Sequence, residues 1–270
     1  MDDLKLGILG CGAVGSAIRD VHLSIGQKVV VHDLNLGTEL SCLLEADVIF
    51  VCLPTPQSST GECDLTIVEG ELKKLDELDY NGIVVMKSTV PPGTGNIFSK
   101  RYKFDYVSCP EFLREHSAID DYRNQKVHFV GFDCDPSRVK SILKPLGSDI
   151  KEVSLTEAEL IKYFHNTFNA WRIIFANAFC ELSEKLDANY ENILKNVCLL
   201  NDYSDKYLKS SDDFKGFGGP CLPKDTAALA SVANQLELRS NIWQFCIEEN
   251  DKWETKLVQG LRERGFQSLI

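Results

Sequence analysis

The sequence predicts an α/β protein: a doubly wound parallel sheet followed by an all-helical domain with long helices. Three observations lead there. Short β-branched runs alternate with helix-like segments as far as residue 150, the pattern of a parallel sheet covered on both faces. A glycine pattern, G-x-G-x-x-G, follows the first run. After Ser154 the apolar period changes to that of a helix and holds for about eight turns.

The predicted strands lie in KLGILG, QKVVVHD, ADVIFVCLP, GIVVMKST, FDYVSCP and KVHFVGF, each a continuous apolar run bounded by turn or helix signals. A helix begins near Ala13. Thr156 and Glu159 have the spacing of a capping box. Beyond them Leu160, Phe164, Phe168, Trp171, Phe175, Phe179, Leu182 and Leu186 recur on one helical face. A helix from Glu157 to Leu186 is about 45 Å long, more than a domain needs to cover its own core, so it is expected to bridge domains or subunits. A second long helix is expected from Asn241 to Arg264. The expected domains are 1–153, the sheet, and 154–270, the helices.

Composition narrows the function. A net charge of −11 argues against nucleic acid as a partner, and no apolar run reaches membrane-spanning length. The N-terminus MDDLKLGILG lacks the basic and apolar regions of a signal peptide, so a cytoplasmic location is expected. The ten cysteines are scattered, without C-x-x-C pairs or zinc spacing, so reduced thiols are expected and no metal.

Gly10, Gly12 and Gly15 lie between a predicted strand and a predicted helix. That arrangement gives a tight turn, close approach of backbone to a pyrophosphate, and a helix N-terminus facing the anion. Asp33 ends the next strand eighteen residues past Gly15, where an acid binds the adenosine ribose hydroxyls and repels a 2′-phosphate. A Rossmann-like domain that prefers NAD to NADP is expected.

Other stretches carry more chemistry than loops require: VCLPTP, KSTVPPGT, CPEFLRE and GFGGPCLPKD. The first three follow predicted strands, at the carboxyl ends of the sheet where open α/β folds bind ligands. Cys221 reads either as a nucleophile beside a helix expected to begin near Asp225, whose N-terminus lowers the thiol pKa, or as a buried thiol like the other nine. Lys162 and Asn166, four apart, stack on one side of the long helix, opposite the Leu160/Phe164/Phe168 stripe and in line with Asn169 and Asn177. Alone they fit a solvated face equally well. Asp225 also suits a helix N-cap, and Glu111 with Glu115 suits an exposed helix.

Taken in order from Gly7 to about Leu229, these segments resemble the UDP-glucose/GDP-mannose dehydrogenase family. The resemblance implies metal-free oxidation of a nucleotide sugar's primary alcohol to a carboxylate with two NAD, UDP-glucose to UDP-glucuronate being the expected case. It makes Cys221 the nucleophile that forms a thiohemiacetal and then a thioester, and gives Lys162 and Asn166 the oxyanion. Asp225 orients water, Glu115 is a candidate for positioning the hydrolytic water, and Thr89 joins the same network. Substrate contacts are implied for Glu111, Phe112, Leu113, Lys162, Asn166, Gly218 and Lys224. Cofactor contacts are implied for Gly10, Gly12, Ala13, Val14, Gly15, Asp33, Leu53, Pro54, Thr55, Ser88, Thr89, Glu115 and Lys224. A homodimer through the long helices is expected.

Family members usually continue into another Rossmann-like domain that supplies much of the nucleotide pocket. The chain is therefore expected to lack the C-terminal nucleotide-sugar-binding domain, with a separate chain as one source of it. Two other readings stay open: a non-catalytic NAD-binding dimerisation module or one half of a split enzyme, and a single-step hydroxyacid dehydrogenase of the 6-phosphogluconate type, which needs no cysteine.

Overall fold

In the computed structural model, residues 4–200, 203–210 and 215–253 are described. The chain divides into two units: residues 1–56 with 64–162, and residues 57–63 with 163–270. The expected boundary at 153/154 falls at the start of the long helix. The first turns of that helix, through Lys162, belong to the first unit, and the short segment 57–63 belongs to the second.

The first unit alternates strands and helices: β1 (Lys5–Leu9), α1 (Ala13–Ser24), β2 (Lys28–His32), β3 (Val48–Val51), α2 (Thr66–Glu77), β4 (Ile83–Met86), α3 (Thr94–Arg101), β5 (Asp105–Ser108), α4 (Ala118–Arg123), β6 (Val127–Phe132), α5 (Ser137–Leu143) and β7 (Asp149–Val153). They form one seven-stranded sheet in the order β2-β1-β3-β4-β5-β6-β7. β3 (VIFV) and β4 (IVVM) are buried at every position. Leu9, Ile49, Val51, Val84, Met86 and Tyr106 pack one core. Leu6, Ile8, Val48, Phe50, Val85 and Val107 pack the other. This two-faced burial is why the central strands read as unbroken apolar runs.

The doubly wound sheet carries two further features at one end. β6 pairs antiparallel with β5 through Val107↔Phe132 and Ser108↔Gly131, so the sheet is mostly rather than wholly parallel. The seventh strand, DIKEV, went unread because it lies at the edge beside β6 alone and has no fully buried residue.

The register sets the functional edge. Gly10, Cys52, Lys87 and Cys109 each lie one residue past their strand, and Cys52, Lys87 and Cys109 donate their amides to Leu9, Val51 and Met86 of the neighbouring strands (2.8, 3.0 and 2.9 Å). VCLPTP, KSTVPPGT and CPEFLRE therefore leave the same edge of the sheet as the glycine loop. β1 stands between β2 and β3, where the strand order reverses, the usual place for a ligand crevice.

The second unit holds the rest of α6 (Leu155–Lys185), with α7 (Tyr190–Val197), α8 (Leu222–Gln235) and α9 (Ile242–Asn250). α6 has 31 residues, close to the expected span. Its capping box is Ser154 and Glu157, not Thr156 and Glu159: the Ser154 amide donates to Glu157 (2.7 Å), and the Glu157 amide to the Ser154 hydroxyl (3.3 Å). The Thr156 hydroxyl instead accepts from Asn96 of α3 (2.7 Å). The expected helix Asn241–Arg264 ends at Asn250, and residues 254–264 lie outside the described residues.

Along α6 the polar and aromatic faces are exchanged relative to an ordinary surface helix. Glu159, Lys162, Asn166, Asn169 and Asn177 are buried, whereas Phe164 is 70% and Phe175 60% exposed. The solvated-face reading of Lys162 and Asn166 is thus overturned. No described helix is long and apolar enough to cross a membrane.

Candidate active site

The glycine loop folds as its chemistry requires. Gly10 has φ +91°, and a Cβ there falls 2.7 Å from the Cys52 carbonyl oxygen; one on Gly15 falls 2.0 Å from the Gly10 carbonyl oxygen. Gly12 is the N-cap of α1, with no side-chain cap and nothing within 4 Å of a Cβ built on it. Ala13 and Val14 open the helix, so their amides stand at an uncapped N-terminus. Asp33 accepts from the amides of Cys11 (2.6 Å) and Asn35 (2.8 Å). Those amides hold its carboxyl below the usual range and keep it charged. An open cradle that side chains would fill, an uncapped helix and an acid at the end of β2 fit a dinucleotide. Gly15→Ala is expected to cost about 1–3 kcal/mol and to remove the thermal shift produced by NAD; melting with and without NAD checks both.

The neighbouring loops are tied together. The Thr55 hydroxyl donates to the Thr89 carbonyl (2.8 Å), and the Ser88 hydroxyl to the Leu53 carbonyl (2.7 Å). Leu53 and Thr89 are half-buried and Pro54 is exposed, so the VCLPTP loop has a solvent-facing rim. The Ser88 hydroxyl proton is spent on the loop itself.

Glu111 and Glu115 do not share a helix. Glu111 lies in an irregular segment, 9% exposed, and accepts from the Leu113 amide (2.6 Å). Glu115 opens an exposed three-residue 3-10 turn. Arg114, held by its amide and guanidinium on Asp121 (2.7–3.0 Å), sets the start of that turn. Lys162, 3% exposed, donates to the Glu111 carboxylate (3.0 Å) and carbonyl (2.7 Å), with its ammonium 5.5 Å from the Phe112 ring centre. A buried ammonium is tolerable only with such a partner.

One turn before Lys162, Glu159 was read as a capping residue but is 4% exposed. It accepts from the amides of Gly93 (2.6 Å) and Gly95 (2.7 Å) and from the Ser108 hydroxyl (3.3 Å). Those donors favour its charged form, but burial outweighs them and pushes its carboxyl up from 4.5 to about 7. A carboxyl whose folded pKa is raised stabilises fully below the unfolded value and loses that contribution as pH rises through the folded one. Relative to Glu159→Gln, the wild type is expected to lose about 3 kcal/mol as pH rises from 4.5 to above 7. Paired melts across that window test this, because the buried histidines titrate alike in both proteins and cancel.

In the second unit, GFGGPCLPKD is a shaped loop. Gly216 and Gly219 have φ of +76° and +77°. Phe217 is buried with Ala170, Ile174 and Cys246, and Asn250 bonds both its amide (2.6 Å) and its carbonyl (3.0 Å). Gly218 is exposed. Helix α8 begins at Leu222 rather than near Asp225, which makes Cys221 the N-cap. Asp225 is therefore not a cap. It is 1% exposed and accepts from Asn166 (2.5 Å) and Lys224 (2.5 Å). All ten cysteines are thiols, and Cys221 alone among them is exposed.

Glu159 is the functional-looking residue whose role the sequence reading missed. The signal was present: Glu159, Lys162 and Asn166 fall at i, i+3 and i+7, one polar line along α6.

A Rossmann-type sheet with a dinucleotide cradle, joined to a helical unit that presents one thiol at a helix N-terminus, defines a class of nicotinamide-dependent dehydrogenases. Family models agree. The NAD binding domain of the UDP-glucose/GDP-mannose dehydrogenase family matches residues 24–146, and the central domain of the same family matches residues 156–252. A UDP-glucose 6-dehydrogenase of Bacillus subtilis is 35% identical over 95% of this chain and 65% of its own length. One from Rickettsia felis is 34% identical over 80% of this chain and 50% of its own. The structure of a UDP-glucose dehydrogenase from Pyrobaculum islandicum superimposes with a TM-score of 0.83 at 27% identity, covering 92% of this chain and 68% of that one. The chain belongs to the UDP-glucose/GDP-mannose dehydrogenase family, whose cofactor is NAD. It spans about 65% of the Bacillus relative's length.

Proposed function

We propose that the chain is an NAD-dependent nucleotide-sugar 6-dehydrogenase acting on UDP-glucose, with Cys221 as its nucleophile. One observation carries this reading: the single exposed thiol among the cysteines stands at the N-cap position of α8, four residues before a buried aspartate that holds both Asn166 and Lys224. The amide dipoles of the first turn of α8 favour negative charge on that sulfur.

NAD, when bound, takes up the hydride of each of two oxidations. The chain holds it with the amides of the Gly10–Gly15 loop, with Asp33 on the ribose, and with the rim formed by Leu53, Pro54, Thr55, Ser88 and Thr89. Lys162, fixed by Glu111, stabilises the alkoxide as the sugar alcohol gives its proton to water held by Asp225, and departure of the C6 hydride leaves the aldehyde. The Cys221 sulfur then adds to the aldehyde carbon, and Asn166 donates a hydrogen bond to the resulting oxyanion. The second oxidation leaves a thioester. Asp225 and Glu115 position the water that adds to it, expelling the thiolate and leaving a carboxylate. Phe112, Leu113, Gly218 and Lys224 contact the sugar nucleotide.

The test is NADH formation with UDP-glucose and NAD, run beside a thermal-shift series of NAD, NADP and sugar nucleotides. NAD stabilisation with NADH production supports the reading. NAD stabilisation without NADH, even with a chain supplying a further nucleotide-sugar-binding domain, favours a non-catalytic module.

We also propose a homodimer through α6. Phe164, Phe168, Phe175, Leu182 and Leu186 are 51–70% exposed, and beside them runs a groove of about 760 Å³ lined by Trp171, Phe179, Tyr190 and Leu200 among others. An aromatic stripe of this length in water wants a partner surface. Phe175→Asp is expected to weaken self-association about 30-fold or more. Light scattering that finds wild type and variant equally monomeric at micromolar concentration contradicts the dimer.

A further inference from the structure

We propose that Glu159 is a positioning residue for Lys162: by accepting the Gly93 and Gly95 amides it fixes the first turns of α6 on the KSTVPPGT loop, and so sets where the lysine stands. The inference rests on the proposed function for what Lys162 does, but not for how Lys162 is held.

Three features converge. Glu159 has no cationic partner among the described residues; its acceptors are filled by two backbone amides and the Ser108 hydroxyl. Those amides belong to the start of α3, just past the loop that carries Ser88 and Thr89, so the carboxylate caps one helix from another. A side chain on Gly95 would meet this contact, since its Cβ falls 2.9 Å from Glu159 Oε1 and 3.1 Å from Leu155 Cβ. On the sheet side, a Cβ on Gly131 falls 2.6 Å from the Ser154 carbonyl oxygen and 2.9 Å from Ala158 Cβ. The start of α6 is thus held by backbone on one side and by the Glu159 carboxylate on the other. Lys162 lies three residues on, nearly one turn, with its ammonium on Glu111. A rotation of that turn carries the ammonium off its acceptors.

The experiment compares lysine labelling by reductive methylation in the wild type, Glu159→Gln, Glu159→Asp and Gly95→Ala, read by peptide mass spectrometry. Lys87 is the internal control. It is 1% exposed in the same unit, bonded to Cys109 Sγ (3.3 Å) and set over the Phe50 ring, with no contact to Glu159. Glutamine keeps one acceptor and presents a donor to the second amide; aspartate keeps the charge but withdraws it by one methylene; Gly95→Ala displaces the carboxylate without altering it. Lys162 labelling is expected to rise about tenfold or more in Glu159→Gln and to a smaller extent in Glu159→Asp, with Lys87 unchanged. In turnover assays kcat falls while KM for NAD holds. Equal rises at Lys87 and Lys162, or no rise at Lys162 in folded Gly95→Ala, would overturn the proposal and leave Glu159 a purely structural residue. If Glu159→Gln does not fold, the aspartate and alanine variants decide. A wild type that forms no NADH removes the proposed function, and the labelling ratio still reports on positioning.

Discussion

Cys221→Ser is expected to slow formation of the acid from UDP-glucose, and of the second NADH that accompanies it, by roughly 10³-fold or more, while leaving stability within about 0.5 kcal/mol and the NAD thermal shift unchanged. The separation follows from the position of the residue. Cys221 is exposed at the N-cap of α8, and the loop that carries it is anchored by Phe217 and Asn250. Serine keeps the cap and the loop. It loses the nucleophile, because a hydroxyl without a general base adds to an aldehyde far more slowly than a thiolate. Initial-rate spectrophotometry and melting on the same preparation read both halves. A serine variant that turns over at the wild-type rate would point instead to single-step chemistry of the hydroxyacid-dehydrogenase kind.

The second large effect is on the buried Lys162 ammonium. Lys162→Met is expected to destabilise the first unit by about 3–5 kcal/mol, because it removes the cation paired with the buried Glu111 carboxylate. Adding Glu111→Gln to Lys162→Met is expected to restore most of that loss, since the remaining amide group still accepts from Leu113 and carries no charge to bury. Activity behaves differently: both the single and the double variant stay about 10²-fold or more below wild type, because the oxyanion stabiliser is absent from each. Urea unfolding and initial rates for the four proteins of the cycle separate stability from catalysis. If stability is not recovered in the double variant, Lys162 supports the fold through its contact with the Phe112 ring, not through charge.

The sequence was most readable where burial is two-sided. VIFV and IVVM declare central strands because every residue is covered, and the glycine loop declares itself because Gly10 and Gly15 stand where a Cβ would meet backbone oxygen. DIKEV was missed because an edge strand beside one neighbour keeps polar residues on both faces. The antiparallel β5–β6 pair was missed because strand direction depends on where the intervening segment returns, which no local run of residues encodes.

Of the candidate site, the chemistry-bearing segments were legible, but their local geometry was less so. Glu111 and Glu115 have helical spacing, but the buried Lys162 ammonium and the Leu113 amide both draw on the Glu111 carboxylate, in a segment that is not helical. Asp225 looks like a cap because aspartate favours caps, yet Pro223 can stand in the first turn of a helix, which lets α8 begin earlier at Leu222. The polar line of α6 was read correctly in its spacing. Spacing alone left open which side of the helix faced solvent, since an aromatic stripe ordinarily marks the buried face and here stands exposed.

The central claim is that one thiol carries the sugar through two successive oxidations. It is tested most directly by counting NADH formed per UDP-glucose consumed by the wild type and by Cys221→Ser under single-substrate exhaustion. Two NADH per UDP-glucose in the wild type, with no progress to the acid in the serine variant, is the predicted result. One NADH per UDP-glucose in the wild type, or two in the serine variant, would contradict it.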